Sequence, residues 1–267
     1  MNAIVCVKQV PDTAELPKVE PADVAEGRSK VTRVVNPWDE YAIEEALLLK
    51  EAHGGKVTAL SLGPPEAAEA LKIAVAMGSD EAILLSDSAF GDGDALTIGY
   101  ALAQAIGQIG EYDLILCGKE SVDGNSGLTT STTARYLGIP QLTYVVKIRE
   151  VDFDRRTITV ERLVEEGLEV ATAPLPAMVS VIKGINEPRY PSFRGIRKAA
   201  RMEIPVWGIG DIAGLDAEKA SEAGAAVRWT NIHKPPGRAA ECEIIDADSV
   251  AEQASILADR LLAAKVI

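Results

Sequence analysis

Histidine, cysteine and aromatic side chains are scarce: 2 His, 3 Cys and 4% aromatics in 267 residues. Cys6, Cys117 and Cys242 are odd in number and share no CxxC spacing, so neither a disulfide framework nor a cysteine zinc site is expected. His53 and His233 have no carboxylate cluster around them, which speaks against a His-based triad. Positive charge is short too, with 27 Lys and Arg against 40 Asp and Glu and a formal net charge of -13. A chain so acidic is a poor match for nucleic acid, whose phosphates demand a basic stripe. No apolar run approaches the ~20 residues of a spanning helix. Met1-Asn2-Ala3 leads straight into Ile4-Val5-Cys6-Val7 with no basic leader, so a cytoplasmic location without membrane insertion is expected. With catalytic side chains this sparse, chemistry is expected to come from a bound cofactor.

What is present is apolar and regular. Hydrophobic residues make up 47% of the chain. Short apolar runs at 3–7, 56–62, 81–85, 112–117 and 142–148 read as strands, and between them lie helical patterns near 38–53, 64–77, 94–109 and 126–137. The alternation predicts a doubly wound, mostly parallel α/β sheet. Residues 157–164 and 168–173 then read as an antiparallel excursion within 143–182, and "PLPAMVSVIKG" as a buried strand beginning at or after Leu175. These elements define an expected nucleotide-binding domain over 1–204. Beyond it, 205–267 reads as a partner-wrapping arm with a turn at Pro235-Pro236-Gly237 and a last helix announced by Ser249 and Glu252.

In such sheets ligands bind outside the carboxyl ends of the strands. The loop after the fourth strand is the richest: Asp123-Gly124-Asn125-Ser126-Gly127 is a turn able to expose several N–H groups. It runs into Leu128, Thr129, Thr130, Ser131, Thr132 and Thr133 at a helix start, where hydroxyls and the positive helix end would favour an anion. An ordinary capped turn would look the same locally. No GxGxxG follows the first strand and no acidic residue ends the second, so a mononucleotide is expected rather than a nicotinamide cofactor. The groups around Cys6, the turn Asn36-Pro37-Trp38-Asp39, and Leu62 would grip its adenine and ribose. "GKES" at 118–121 lacks a Walker motif's leading glycine, and "GDGD" at 91–94 lacks a calcium loop's distal Glu.

One segment runs against the acidic background. "NEPRYPSFRGIRKAAR" (186–201) gathers Arg189, Tyr190, Phe193, Arg194, Arg197, Lys198 and Arg201. Charge runs are commonly solvated helix faces; an aromatic ringed by cations also fits a docking surface for an acidic partner.

The strings "CVKQVPD", "NPWDEYAIEEALLLKE", "CGKESVDGN" and "LPAMVSVIKGINEPRYPSFRGIRKA" together resemble the β subunit of electron transfer flavoprotein from Met1 to about Arg201. That resemblance implies an electron carrier rather than an enzyme. It implies an obligate heterodimer with an α subunit that houses the redox FAD, and AMP bound by this chain at Cys6, 36–39, Leu62 and 123–133. It also implies docking through 184–201, with Phe193 as the plug, onto flavin dehydrogenases such as acyl-CoA dehydrogenases, and delivery of electrons towards a quinone oxidoreductase. Thr13 stands where many members carry an aromatic, and Phe193 where leucine is commoner. Two other readings compete: a bifurcating relative with a second FAD in place of AMP, oxidising NADH, and a stand-alone adenine-nucleotide-binding protein.

Overall fold

The computed structural model describes residues 1–22, 31–91, 93–228, 230, 233 and 242–267. The chain divides into two compact units, Met1–Asn231 and Ile232–Ile267. The turn read at Pro235-Pro236-Gly237 lies outside the described residues.

The first unit alternates strands and helices. β1 (Asn2–Cys6) is followed by a two-stranded antiparallel ribbon, β2 (Gln9–Pro11) with β3 (Arg33–Val35). Next come α1 (Pro37–His53), β4 (Lys56–Leu62), α2 (Ala68–Met77), β5 (Glu81–Leu85), α3 (Ala95–Ile109) and β6 (Leu114–Gly118). After them stand α4 (Thr129–Leu137), β7 (Gln141–Asp152), β8 (Thr157–Val164), β9 (Gly167–Pro174), β10 (Ala177–Val181), α5 (Phe193–Arg201), β11 (Val206–Trp207) and the short α6 (Ala217–Ala220). The sheet has nine strands in the order β11-β5-β4-β1-β6-β10-β7-β8-β9. All neighbours from β11 to β7 are parallel, and β8 and β9 continue it antiparallel.

The central strands read as unbroken apolar runs because both faces are covered. Ala3 and Val5 pack with α1, α2 and Ala199 of α5 on one face; Ile4 and Cys6 pack with α3 and α4 on the other. Burying a large apolar side chain such as Ile4 or Val5 there stabilises by about 1.5–3 kcal/mol. Helix ends follow local chemistry. Pro37 opens α1, and Asp94 caps α3 by accepting from Leu96 N at 2.9 Å and Thr97 N at 3.0 Å. Gly138, at φ 69°, closes α4 in the left-handed region.

The doubly wound parallel architecture and the antiparallel excursion are as the sequence implied. Differences are local. α4 starts at Thr129, leaving Ser126-Gly127-Leu128 in the loop, since Asn125 and Gly127 hold φ of 48° and 62°. The ribbon β2–β3 and the edge strand β11 are two or three residues long, too short to show a period.

Residues 206–228 stay with the first unit. β11 pairs with β5, Gln108 bonds to Asp211 O and Ala213 N, and Lys219 lies between the rings of Tyr100 and Tyr136, 4.4 and 4.7 Å from their centroids. In the second unit, α7 (Val250–Ala263) is capped by Ser249, which accepts from Glu252 N at 3.2 Å. Its Val250, Leu257 and Leu262 are exposed.

Candidate functional site

The strand order reverses at β1. The chain moves outward through β4 and β5 under α1 and α2, then α3 returns it to β6 on β1's other side. The crevice between the loops that follow β1 and β6 is therefore the topological switch point. Asp39, in the first turn of α1, fastens these loops together. Its carboxylate accepts from Lys8 N at 2.8 Å and from Gly118 N at 3.1 Å. Asn36 does the same further out: Nδ2 donates to Glu120 O at 2.9 Å, Oδ1 accepts from Val122 N at 3.2 Å, and its own N–H donates to Lys8 O at 2.9 Å. These two residues, expected from sequence in the turn whose backbone would grip a ligand, use their side chains to frame the crevice.

Burial pushes the Asp39 carboxyl up to about 7, against the pull of the Lys8 and Gly118 N–H groups and the Asn36 amide. The sign of the consequence follows. The folded pKa lies above the ordinary value near 4, so the native state keeps a proton the unfolded chain has lost. Stability from this group is fully present below about pH 4 and is lost as pH rises through about 7. An Asp39 carboxyl carbon resonance titrating near 7 is expected, with a fall in unfolding free energy over that window that Asp39→Asn flattens. Burial also raises Glu40 and Glu45, which contribute in the same direction, so the variant isolates the share of Asp39. A midpoint near 4 would contradict the assignment.

The neighbouring thiols are inert. Burial drives Cys117 up to about 12 and Cys6 well above the ordinary thiol range, in each case aided by the Asp39 charge. Cys117 Sγ lies 2.8 Å from Thr130 Oγ1. Thr132 Oγ1 bonds to Ala95 O at 2.8 Å, tying α4 to α3, while Thr133 Oγ1 and Ser61 Oγ are buried without a partner. The side chains of Ser126, Thr129 and Ser131 make no hydrogen bond among the described residues, and no side chain caps α4. Thr132 N donates to Leu128 O at 3.0 Å, and the N–H groups ahead of it in the first turn have no side-chain cap.

Two cations at this mouth were not singled out from the sequence. Lys8 Nζ contacts both oxygens of Asp123, at 2.7 and 2.8 Å. Partial burial works to raise the Asp123 carboxyl, but Lys8 outweighs it and the net shift is downward. Lys119 Nζ lies 4.5 Å from the centre of the Trp38 ring and 2.9 Å from Glu120. The signal available was positional: each lysine stands within two residues of a central strand's carboxyl end.

The basic segment separates into two kinds of residue. Tyr190 and Phe193 are 94% and 90% exposed, and Arg194, Arg197 and Arg201 are exposed without an ion pair among the described residues. Phe193, Arg194, Arg197, Lys198 and Arg201 line an open groove of about 540 Å³. Arg189 and Lys198, by contrast, are engaged by the chain itself. Arg189 forks onto Glu44 and reaches Glu51, and Lys198 Nζ donates to Ser79 O at 2.8 Å. No cluster able to hold a metal occurs among the described residues, and no helix there is long and apolar enough to cross a membrane.

An open parallel sheet with a polar crevice at its switch point belongs to the class of α/β folds that receive ligands at strand carboxyl ends. A family described as "Electron transfer flavoprotein domain" matches residues 27–211. The chain is 39% identical to the electron transfer flavoprotein subunit beta of Megasphaera elsdenii, covering 100% of both chains. It is 42% identical to that of Clostridium acetobutylicum, over 83% of this chain and 82% of the other. It is 36% identical to Protein FixA of Azorhizobium caulinodans, over 97% and 93%. The chain belongs to the electron transfer flavoprotein family, among its β subunits.

Proposed function

We propose that this chain is the β subunit of a heterodimeric electron transfer flavoprotein that takes electrons from flavin dehydrogenases, acyl-CoA dehydrogenases among them, and passes them towards a quinone oxidoreductase. In this reading the FAD lies mainly in an α subunit and this chain holds AMP. Flavin, when bound, supplies reversible electron storage. The chain's own residues supply the frame and the contact surface.

The observation that carries the nucleotide half of the reading is the crevice at β1 and β6. Asp39 and Asn36 clamp its two loops, α4 offers uncapped N–H groups, and the buried Ser61 and Thr133 hydroxyls lack partners. These features fit a nucleotide. The first turn of α4 with Ser126, Thr129 and Ser131 would hold a phosphate, and the walls at Cys6, 36–39 and Leu62 the adenosine. The helix dipole contributes only about 0.3–1 kcal/mol to such an anion, so the hydroxyl and N–H contacts must do the rest. Lys8 neutralises Asp123, the one carboxylate in that loop that would repel a phosphate.

The exposed aromatic pair Tyr190 and Phe193, with the free Arg194, Arg197 and Arg201, supports the docking half. The apolar side chains of α7 support assigning contact with the α subunit to 232–267. Denaturing the purified complex and quantifying what it releases tests the cofactor assignment. One FAD and one AMP per heterodimer is the expected result. Two FAD and no AMP would replace the carrier reading with the bifurcating one.

A further inference from the structure

We propose that Glu44 and Glu45 of α1, with Asn186 and Arg189, form a lock that positions the docking segment, and that Arg189 does not touch the partner at all. The inference rests on the docking reading given above and assigns new parts to it.

Glu44 is 4% exposed and Glu45 8%, although both sit on a helix in an "EE" pair that would ordinarily face solvent. They are buried because the 186–189 stretch covers them. Glu44 Oε2 accepts from Arg189 N at 3.1 Å and Nε at 2.8 Å, and Oε1 accepts from Nη2 at 2.9 Å. The remaining Arg189 nitrogen, Nη1, donates to Glu51 at 2.5 Å. All three nitrogens of that guanidinium bond to α1, through three of its five N–H donors, so the planar fork lies against the helix. Asn186 Nδ2 completes the lock on Glu45 Oε2 at 2.9 Å and Tyr41 O at 3.0 Å.

The far side of the segment is fixed on α2. A side-chain carbon at Gly195 would stand 2.0 Å from Ala76 O, so α5 rests its backbone directly against the end of α2. Lys198 Nζ reaches Ser79 O and Asp80 O from the same helix. Residues 190–192 link the two anchors, with Ser192 capping α5 and Phe193 opening it, and both Tyr190 and Phe193 are exposed there. A short span held at both ends presents its plug without an ordering cost at the moment of contact.

The test uses the intact αβ complex and a purified acyl-CoA dehydrogenase as probe. It reads backbone hydrogen exchange over 186–196 and the dissociation constant across a salt series, for Glu44→Gln, Arg189→Lys, Arg189→Gln, the double variant Glu44→Gln/Arg189→Gln, Arg197→Gln and Phe193→Ala. Each lock variant is expected to speed exchange and weaken docking at least tenfold while leaving the salt slope as in the parent, and the double variant is expected to be no worse than either single one. Arg197→Gln should leave exchange alone and flatten the salt slope, because exposed charges act through screened attraction. Should Glu44→Gln unfold the chain, Arg189→Lys, which keeps the charge but loses the fork, gives the same readout. Parental exchange in these variants, or an Arg189→Gln slope flattened like that of Arg197→Gln, would overturn the lock. Unchanged affinity in both Phe193→Ala and Arg197→Gln would instead remove the docking reading on which it rests.

Discussion

Replacing Gly118 with alanine should lower the stability of the first unit by about 3 kcal/mol, the upper part of the range for forcing an extra methyl into a packed site. A side-chain carbon there would stand 2.5 Å from Trp38 Cβ, 2.6 Å from Asp39 Oδ1 and 2.6 Å from the Trp38 carbonyl carbon. All three atoms belong to Trp38 and Asp39 in the first turn of α1, whose helix packs against β1, β4 and β6, so neither residue can step aside cheaply. The Gly118 N–H that Asp39 accepts would be pushed off its 3.1 Å partner as well. Melting should drop by on the order of 10 °C, and on the nucleotide reading proposed above, AMP should be lost on gel filtration. Gly107→Ala is the matched control. That glycine lies inside α3 with nothing within 4 Å of the added carbon, and the change should be neutral or slightly stabilising. Equal melting temperatures for the two variants would show that the crevice is not as tight as described.

Phe193→Ala is the second large effect, and it should appear only in function. The ring is 90% exposed, so removal should leave melting within about 0.5 kcal/mol of the parent. An aromatic presented at the centre of a contact typically contributes about 2 kcal/mol or more when truncated. That corresponds to a roughly thirtyfold weaker complex with a partner dehydrogenase, read as a higher KM for electron transfer with kcat little changed. Loss of stability without loss of affinity would reverse the assignment, placing Phe193 in a core rather than on a docking face.

Much of the frame was legible in the residues, for physical reasons. Central strands buried on both faces leave continuous apolar runs, and the glycines and prolines at helix ends mark the breaks between them. The crevice loops were legible as loops because the switch-point rule points at whatever follows β1 and β6. What sequence reasoning could not see was the division of labour inside a charged stretch. Arg189 and Arg197 look alike in "NEPRYPSFRGIRKAAR", and only the fold shows that one is spent on Glu44 while the other is free. Glu44 and Glu45 hide for the complementary reason: helical periodicity treats them as solvated, whereas a segment more than 140 positions away covers them. Asn36 and Asp39 were expected in the turn 36–39, and only the fold shows their side chains holding two loops together.

Helix α1 belongs to two devices at once. Its first turn builds the crevice through Asp39, and its middle carries Glu44, Glu45 and Glu51 beneath the docking segment. If 186–201 docks partners as proposed above, the specificity of this chain is not portable as a single loop. A chimaera that imports 186–201 from a relative would then need the matching acidic face of 37–53 with it, and in doing so would rewrite one wall of the crevice at β1 and β6.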